Sequence, residues 1–229
     1  MGSIRENIEE VRGNIAAAAL RSGRKPEDVK LLAVTKTVGI DRIEEAYEAG
    51  LYEFGENRVQ EIMAKYEFFS KKAKFHLIGQ LQKNKVKYII DKVELVHSIS
   101  LLPVALEIER LCEKNDTFLD CLIQVNTSRE DSKSGVLEED LDRFVDDLAP
   151  LERLHVKGLM TIGAYDAQGE QARKYFVKTR ELYEKLSAVK RDNFSMEHLS
   201  MGMTSDYEVA IEEGADIVRV GSAIFGSRA

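Results

Sequence analysis

Eight short apolar runs recur along the chain, and polar or charged residues stand at the downstream end of nearly every one. The first, 30–35, closes on Lys36; the last, 216–220, carries Arg219 and runs into Gly221. Runs rich in Leu and β-branched residues, alternating with helical stretches, imply βαβ units and a parallel sheet. Strands are expected near 30–35, 52–54, 75–78, 94–97, 119–125, 155–161, 195–199 and 216–220. Helices are expected near 3–21, 41–50, 56–68, 82–90, 101–114, 138–148, 168–188 and 204–213. The pattern predicts an α/β fold, a single (β/α)8 TIM-type barrel spanning 1–229, with an extra N-terminal helix over the remaining gap. A doubly wound open sheet is the alternative. In a barrel, all the polar strand ends converge on one face, where such folds do their chemistry.

Local signals place the element ends. Ser3 with Glu6, and Asp41 with Glu44, have capping-box spacing. Gly23 stops the first helix and Pro26 opens a turn. On 168–188, Ala172, Tyr175, Phe176, Thr179, Leu182, Tyr183 and Leu186 share one face.

Composition excludes several classes. Of 229 residues, 44% are hydrophobic and 32% charged, which suits a soluble core and argues against disorder. A net charge of −7 gives no drive toward nucleic acid or an anionic membrane. Cys112 and Cys121 are the only cysteines, with no CxxC or Cys/His metal spacing. The expectation is a reduced, cytoplasmic, metal-free protein. Glu6, Glu9 and Glu10 interrupt the N-terminus, and no run approaches the length of a membrane span.

Lys36 is the first candidate for chemistry. A lysine partly desolvated at a strand end favours the free amine, the nucleophile that forms a Schiff base with an aldehyde. A snorkelling lysine is the plain alternative. Two small-residue turns, Ser200/Gly202 and Gly221/Ser222, are expected after the seventh and eighth strands, a recurrent phosphate-binding place in barrels. Tight turns alone would also explain these glycines. Arg219, in a buried-looking strand, either pairs with Glu197 or Asp216 or donates into the mouth. His76 and His97 read as hydrogen-bonded core residues. Lys83, Lys85 and Lys87 read as a solvated face. Loop 127–135 is either a mobile cover for the mouth or simply solvated.

An amine, a phosphate cradle and an arginine together fit pyridoxal 5′-phosphate, which has an aldehyde, a phosphate dianion and a pyridine nitrogen. An arginine at that nitrogen keeps it unprotonated and makes the ring a poor electron sink.

Several segments then resemble one family in order along nearly the whole chain. They are Ala33-Val34-Thr35-Lys36, Phe54-Gly55-Glu56-Asn57-Arg58 and the run from His76 through Gly79 and Asn84 to Lys85. They continue with Asn126 through Ser132-Lys133-Ser134-Gly135, Gly158 to Thr161, Leu199 to Asp206, and Val218 to Gly226. These resemble the pyridoxal phosphate homeostasis protein family. The resemblance implies a fold-type III barrel like the alanine racemase N-terminal domain, with pyridoxal phosphate in Schiff-base linkage to Lys36. It implies Ser200, Met201, Gly202, Gly221 and Ser222 around the phosphate, Arg219 at the pyridine nitrogen and Asn57 near the ring. Phe75 and Gln80 depart from the family's usual tryptophan and proline, beside the site.

The implied function is a carrier or regulator of intracellular pyridoxal phosphate, without turnover and with no catalytic residue. Its partners would be the cofactor and pyridoxal-phosphate-dependent apoenzymes. The alternative is a small amino-acid racemase lacking the C-terminal β domain. In alanine racemase that domain supplies the second base, a tyrosine, in a site completed by a partner subunit. This chain ends at Ala229, soon after the last strand, so no such base and a monomer are expected. A Schiff-base aldolase and an inert scaffold are further rivals.

Overall fold

In the computed structural model, which describes residues 2–69, 72–130 and 132–226, eight parallel strands close into one barrel in chain order. The strands are β1 (Lys30–Val34), β2 (Glu53–Glu56), β3 (Lys74–Leu77), β4 (Leu95–Ile99), β5 (Leu119–Val125), β6 (Leu154–Thr161), β7 (Phe194–Met203) and β8 (Ile217–Val220). Pairing of β1 with β8, Lys30 opposite Ile217 through Ala33 opposite Val220, closes the ring and excludes the open sheet.

The helices are α1 (Ile4–Arg21) before the first strand, α2 (Ile40–Glu48), α3 (Val59–Phe69), α4 (Leu102–Lys114), α5 (Glu138–Leu148), α6 (Arg173–Ser187) and α7 (Tyr207–Glu212) between strands, and α8 (Ser222–Phe225) after the last. Ser3 and Glu6 do form a capping box on α1, with Ser3 N donating to Glu6 Oε2 at 2.8 Å. Ile4, Ile8, Val11 and Ile15 are buried at helical spacing as α1 packs over α2, α7 and α8, covering the β8–β1 seam. The second capping box does not form. Gly39 takes the N-cap of α2, so Asp41 falls inside the first turn, where the helix dipole still favours it. The stretch near 82–90 is a tighter 3-10 turn, Lys83–Tyr88. A 3-10 turn at Gly169–Ala172 precedes α6. No described helix is long and apolar enough to cross a membrane.

Strand alternation divides the side chains. Outward residues such as Ala33, Phe54, Phe75 and Val96 join the main core beneath the helices. Leu32, Leu95, Leu122, Met160 and Ile217 form a separate apolar layer inside the barrel, flanked by Ile78 and Ile162. Above it lies the mouth; polar residues also thread the interior.

The register shifts where β6 meets its neighbours, around Gly158. Gly158 has φ +149°, and a Cβ there would lie 1.8 Å from the His198 carbonyl oxygen. Only glycine permits this approach. Gly158→Ala should therefore destabilise the fold by about 3 kcal/mol or more. Urea denaturation checks this, and a change below about 1 kcal/mol would show that the two strands can part cheaply.

Candidate functional site

The mouth holds a cavity of about 1020 Å³, and Lys36, Asn57, Arg219, Gly221 and Ser222 all line it. Lys36 follows β1, where Leu32 and Val34 precede it on the interior face at a spacing of two. The structure thus brings residues from 36 to 222 to one opening.

The other three expected phosphate neighbours do not line it. Ser200, Met201 and Gly202 are within β7, which runs to Met203 rather than stopping near 199. Pairing of Ser200 with Ile217 and Met203 with Arg219 prolongs the strand. Ser200 therefore points into the barrel, and Met201 is fully buried in the outer core. Gly202, at φ +90°, leaves room for α7: a Cβ there would meet the Ala210 Cβ at 2.6 Å. The cavity wall at this point is Met203, Thr204 and Ser205, and Ser222 Oγ donates to Thr204 Oγ1 at 3.2 Å.

Arg219 has neither of the carboxylate partners considered above. Asp216 accepts from His198 and Leu199, and Glu197 pairs with Lys157. Arg219 instead donates to Ser200 Oγ at 2.7 Å and to the Thr161 carbonyl at 2.8 Å. Burial lowers its pKa to about 10, so it remains a cation at neutral pH.

A buried chain continues from Ser200. His97 Nδ1 lies 2.9 Å from Ser200 Oγ, His97 Nε2 lies 3.0 Å from His76 Nδ1, and His76 Nε2 lies 3.1 Å from Glu53 Oε2. Lys30 completes it with an ion pair to Glu53 at 3.1 Å. The carboxylate fixes the direction of every proton. His76 must donate from Nε2 to Glu53, so neutral His76 accepts at Nδ1 from His97 Nε2. His97 then accepts at Nδ1 from the Ser200 hydroxyl, whose oxygen accepts from Arg219. The two core histidines thus link the base of the barrel to the arginine at its mouth.

Their environment keeps this pattern. Burial lowers the pKa of both, and for His97 the neighbouring His76 and the Arg219 cation add to the effect, since a second proton there would face them. For Glu53 burial is opposed by the His76 hydrogen bond and by Lys30, and its pKa falls to about 2.

A second cluster stands behind Lys36, outside the barrel. Glu56 is fully buried against Lys65, with Nζ to Oε1 at 2.6 Å. Burial raises the Glu56 pKa to about 6 despite Lys65 and Thr35. Loop 127–135 is tied down rather than simply solvated, although Asp131 lies outside the described residues. Gln124 donates to the Ser134 carbonyl and Asn126 to that of Glu130. Lys133 bridges Gly163 O at 2.5 Å and Glu130 at 3.0 Å while lining the cavity.

Sequence reading passed over Glu53, Glu61 and Lys65. Glu53 was legible as an interior residue, four before Asn57 on the same alternating face. Glu61 and Lys65 carry an i,i+4 charge spacing on α3.

A closed parallel barrel with its polar residues gathered at the strand ends is the class of the alanine racemase N-terminal domain, and that family's profile matches residues 6–229. An alanine racemase from Clostridium difficile shares the fold, with TM-score 0.70 at 16% identity, covering 99% of this chain and 56% of that one. Much nearer is the pyridoxal phosphate homeostasis protein of Aquifex aeolicus, 44% identical over 224 residues and 97% of each chain. The Escherichia coli protein of that name is 38% identical over 232 residues, covering 100% of this chain and 98% of its own. PipY of Synechococcus elongatus, solved with PLP bound, has TM-score 0.84 and 30% identity, covering 98% of this chain and 100% of that one. The chain belongs to the pyridoxal phosphate homeostasis protein family.

The buried histidines set a pH dependence. Unfolded histidines take up protons near their ordinary 6.5, whereas His76 and His97 do so only at lower pH in the fold. Each contribution is complete above 6.5 and is lost as pH falls, at about 1.4 kcal/mol per pH unit at most, the limit for a histidine that stays neutral in the fold. Glu56, with a raised pKa, acts in the opposite sense, so comparison of two proteins isolates His97. Between pH 6.5 and 5, His97→Gln should lose about 1.4 kcal/mol less per unit than the wild type. Urea midpoints across that range test it, and parallel curves would mean His97 is protonated in the fold.

Proposed function

We propose that this chain binds pyridoxal 5′-phosphate at the barrel mouth, tethered through Lys36, and works in the cytoplasm as a monomeric cofactor carrier without turnover. The observation that carries the reading is the convergence of Lys36, Arg219 and the Gly221/Ser222 turn on one cavity. Those residues fit the group: one amine, one buried guanidinium fixed as a cation, and a rim of hydroxyls and small residues. When bound, the cofactor supplies an aldehyde that condenses with an amine, an electron-withdrawing ring and a phosphate dianion.

The protein's side chains divide that work. Lys36 is the attachment point. Arg219 would direct positive charge to the ring nitrogen and so disfavour a proton there. Gly221 and Ser222 would join Thr204 and Ser205 in holding the phosphate, with Asn57 beside the ring. Ser200 acts one hydrogen bond back, by holding Arg219; Met201 and Gly202 set the course of β7 beneath the same rim. An arginine in place of an acid at the ring nitrogen favours holding the cofactor over carbanion chemistry. The cofactor in PipY supports binding, and the naming of the homeostasis relatives supports a carrier over racemisation. Recipients on this view are pyridoxal-phosphate-dependent apoenzymes.

The purified protein with added pyridoxal 5′-phosphate should absorb in the visible. Borohydride should then fix the cofactor on the peptide carrying Lys36. Lys36→Ala should abolish trapping while remaining folded, and modification of another lysine would overturn the assignment. Arg219→Ala should weaken retention about tenfold or more in equilibrium dialysis, the scale of one charge-assisted hydrogen bond. Alanine or serine racemisation lost in Lys36→Ala would establish the enzyme reading instead.

A further inference from the structure

Lys36 occupies a turn that its own sequence disfavours. Val38 N donates to the Thr35 carbonyl at 3.0 Å, closing a four-residue turn around Lys36 and Thr37. Thr37 has φ +63° at the third position, where such turns normally place glycine. A β-branched residue with positive φ persists only where its surroundings over-determine it.

Those surroundings come from β2 and α3. Glu61 Oε2 accepts the Thr37 N–H at 2.8 Å. Lys65 Nζ donates to the Thr35 carbonyl at 2.8 Å and to Glu56 Oε1 at 2.6 Å. The Thr35 hydroxyl donates to that same Glu56 oxygen at 2.5 Å. The backbone is therefore gripped on both sides of Lys36. Glu56, Glu61 and Lys65 are all absent from the cavity wall. Glu56 Oε2 is buried without a hydrogen-bond partner among the described residues. A buried ion pair with a half-satisfied carboxylate is a poor source of stability, since an apolar pair of similar volume would serve as well or better.

We propose that Glu56, Glu61 and Lys65 are positioning residues, a clamp that holds the strained turn so that the Lys36 amine stays at the barrel mouth. The inference rests on Lys36 being the attachment point.

The test is time-resolved borohydride trapping of added pyridoxal 5′-phosphate on the full chain, with the Lys36 peptide quantified by mass spectrometry. Glu61→Ala and Lys65→Met should each slow attachment about 10- to 100-fold, the usual effect of a misplaced reacting group. Thr37→Gly should attach at the wild-type rate with a urea midpoint at or above the wild type, because glycine takes the same turn without strain and keeps the backbone groups that Glu61 and Lys65 grip. Glu61→Gln retains an acceptor for Thr37 N and should attach at the wild-type rate. In a Lys36→Ala background, dialysis should show that Glu61→Ala leaves non-covalent retention unchanged, which separates positioning from general damage. If Lys65→Met fails to fold, Glu61→Ala decides. A wild-type attachment rate in Glu61→Ala overturns the clamp alone. A wild-type chain with no adduct on Lys36 instead removes the attachment point, and the clamp's purpose with it.

Discussion

A guanidinium almost wholly buried in a closed barrel must find acceptors there, because little water reaches it to compensate. Arg219 finds two, the Ser200 hydroxyl and the Thr161 carbonyl. Ser200 in turn donates its hydroxyl to His97, His97 donates to His76, and His76 donates to Glu53. The polar interior is thus one connected chain that ends on this cation. Loss of any member leaves its neighbours short of a partner in a medium where that is expensive.

The same constraint shapes the mouth. An arginine with both ends of its fork engaged presents a fixed charge to the cavity. On the proposed reading, such a charge suits retention of a ring with an unprotonated nitrogen better than stabilisation of a carbanion. Rigidity on this side is matched by that of the turn behind Lys36, where Glu61 and Lys65 hold the backbone. On the far side, the 127–135 and 162–168 loops are joined through Lys133 and Glu130. The opening is therefore framed by held elements on several sides.

Much of this could be read along the chain. The alternation of apolar runs with amphipathic stretches located all eight strands, because a strand's facing and a helix's stripe are encoded within about ten neighbouring residues. In the fold, a spacing of two sets Lys36 in line with Leu32 and Val34, and Arg219 in line with Ile217 and Gly221. The end of β7 was misjudged because small residues such as Ser200 and Gly202 look like turn formers. Here they are strand residues shaped by packing against Arg219 and α7.

By itself, then, the sequence determined the order and type of the elements and the facing of their side chains, since those depend on local periodicity and chain entropy. Tertiary structure alone decided the partners. His97 meets Ser200 across 103 positions and Thr161 meets Arg219 across 58. Lys65 reaches back 30 positions to grip the residue before Lys36. Such contacts follow from the closure of β1 on β8 and the shear of the strands around the ring, and no local pattern carries that geometry.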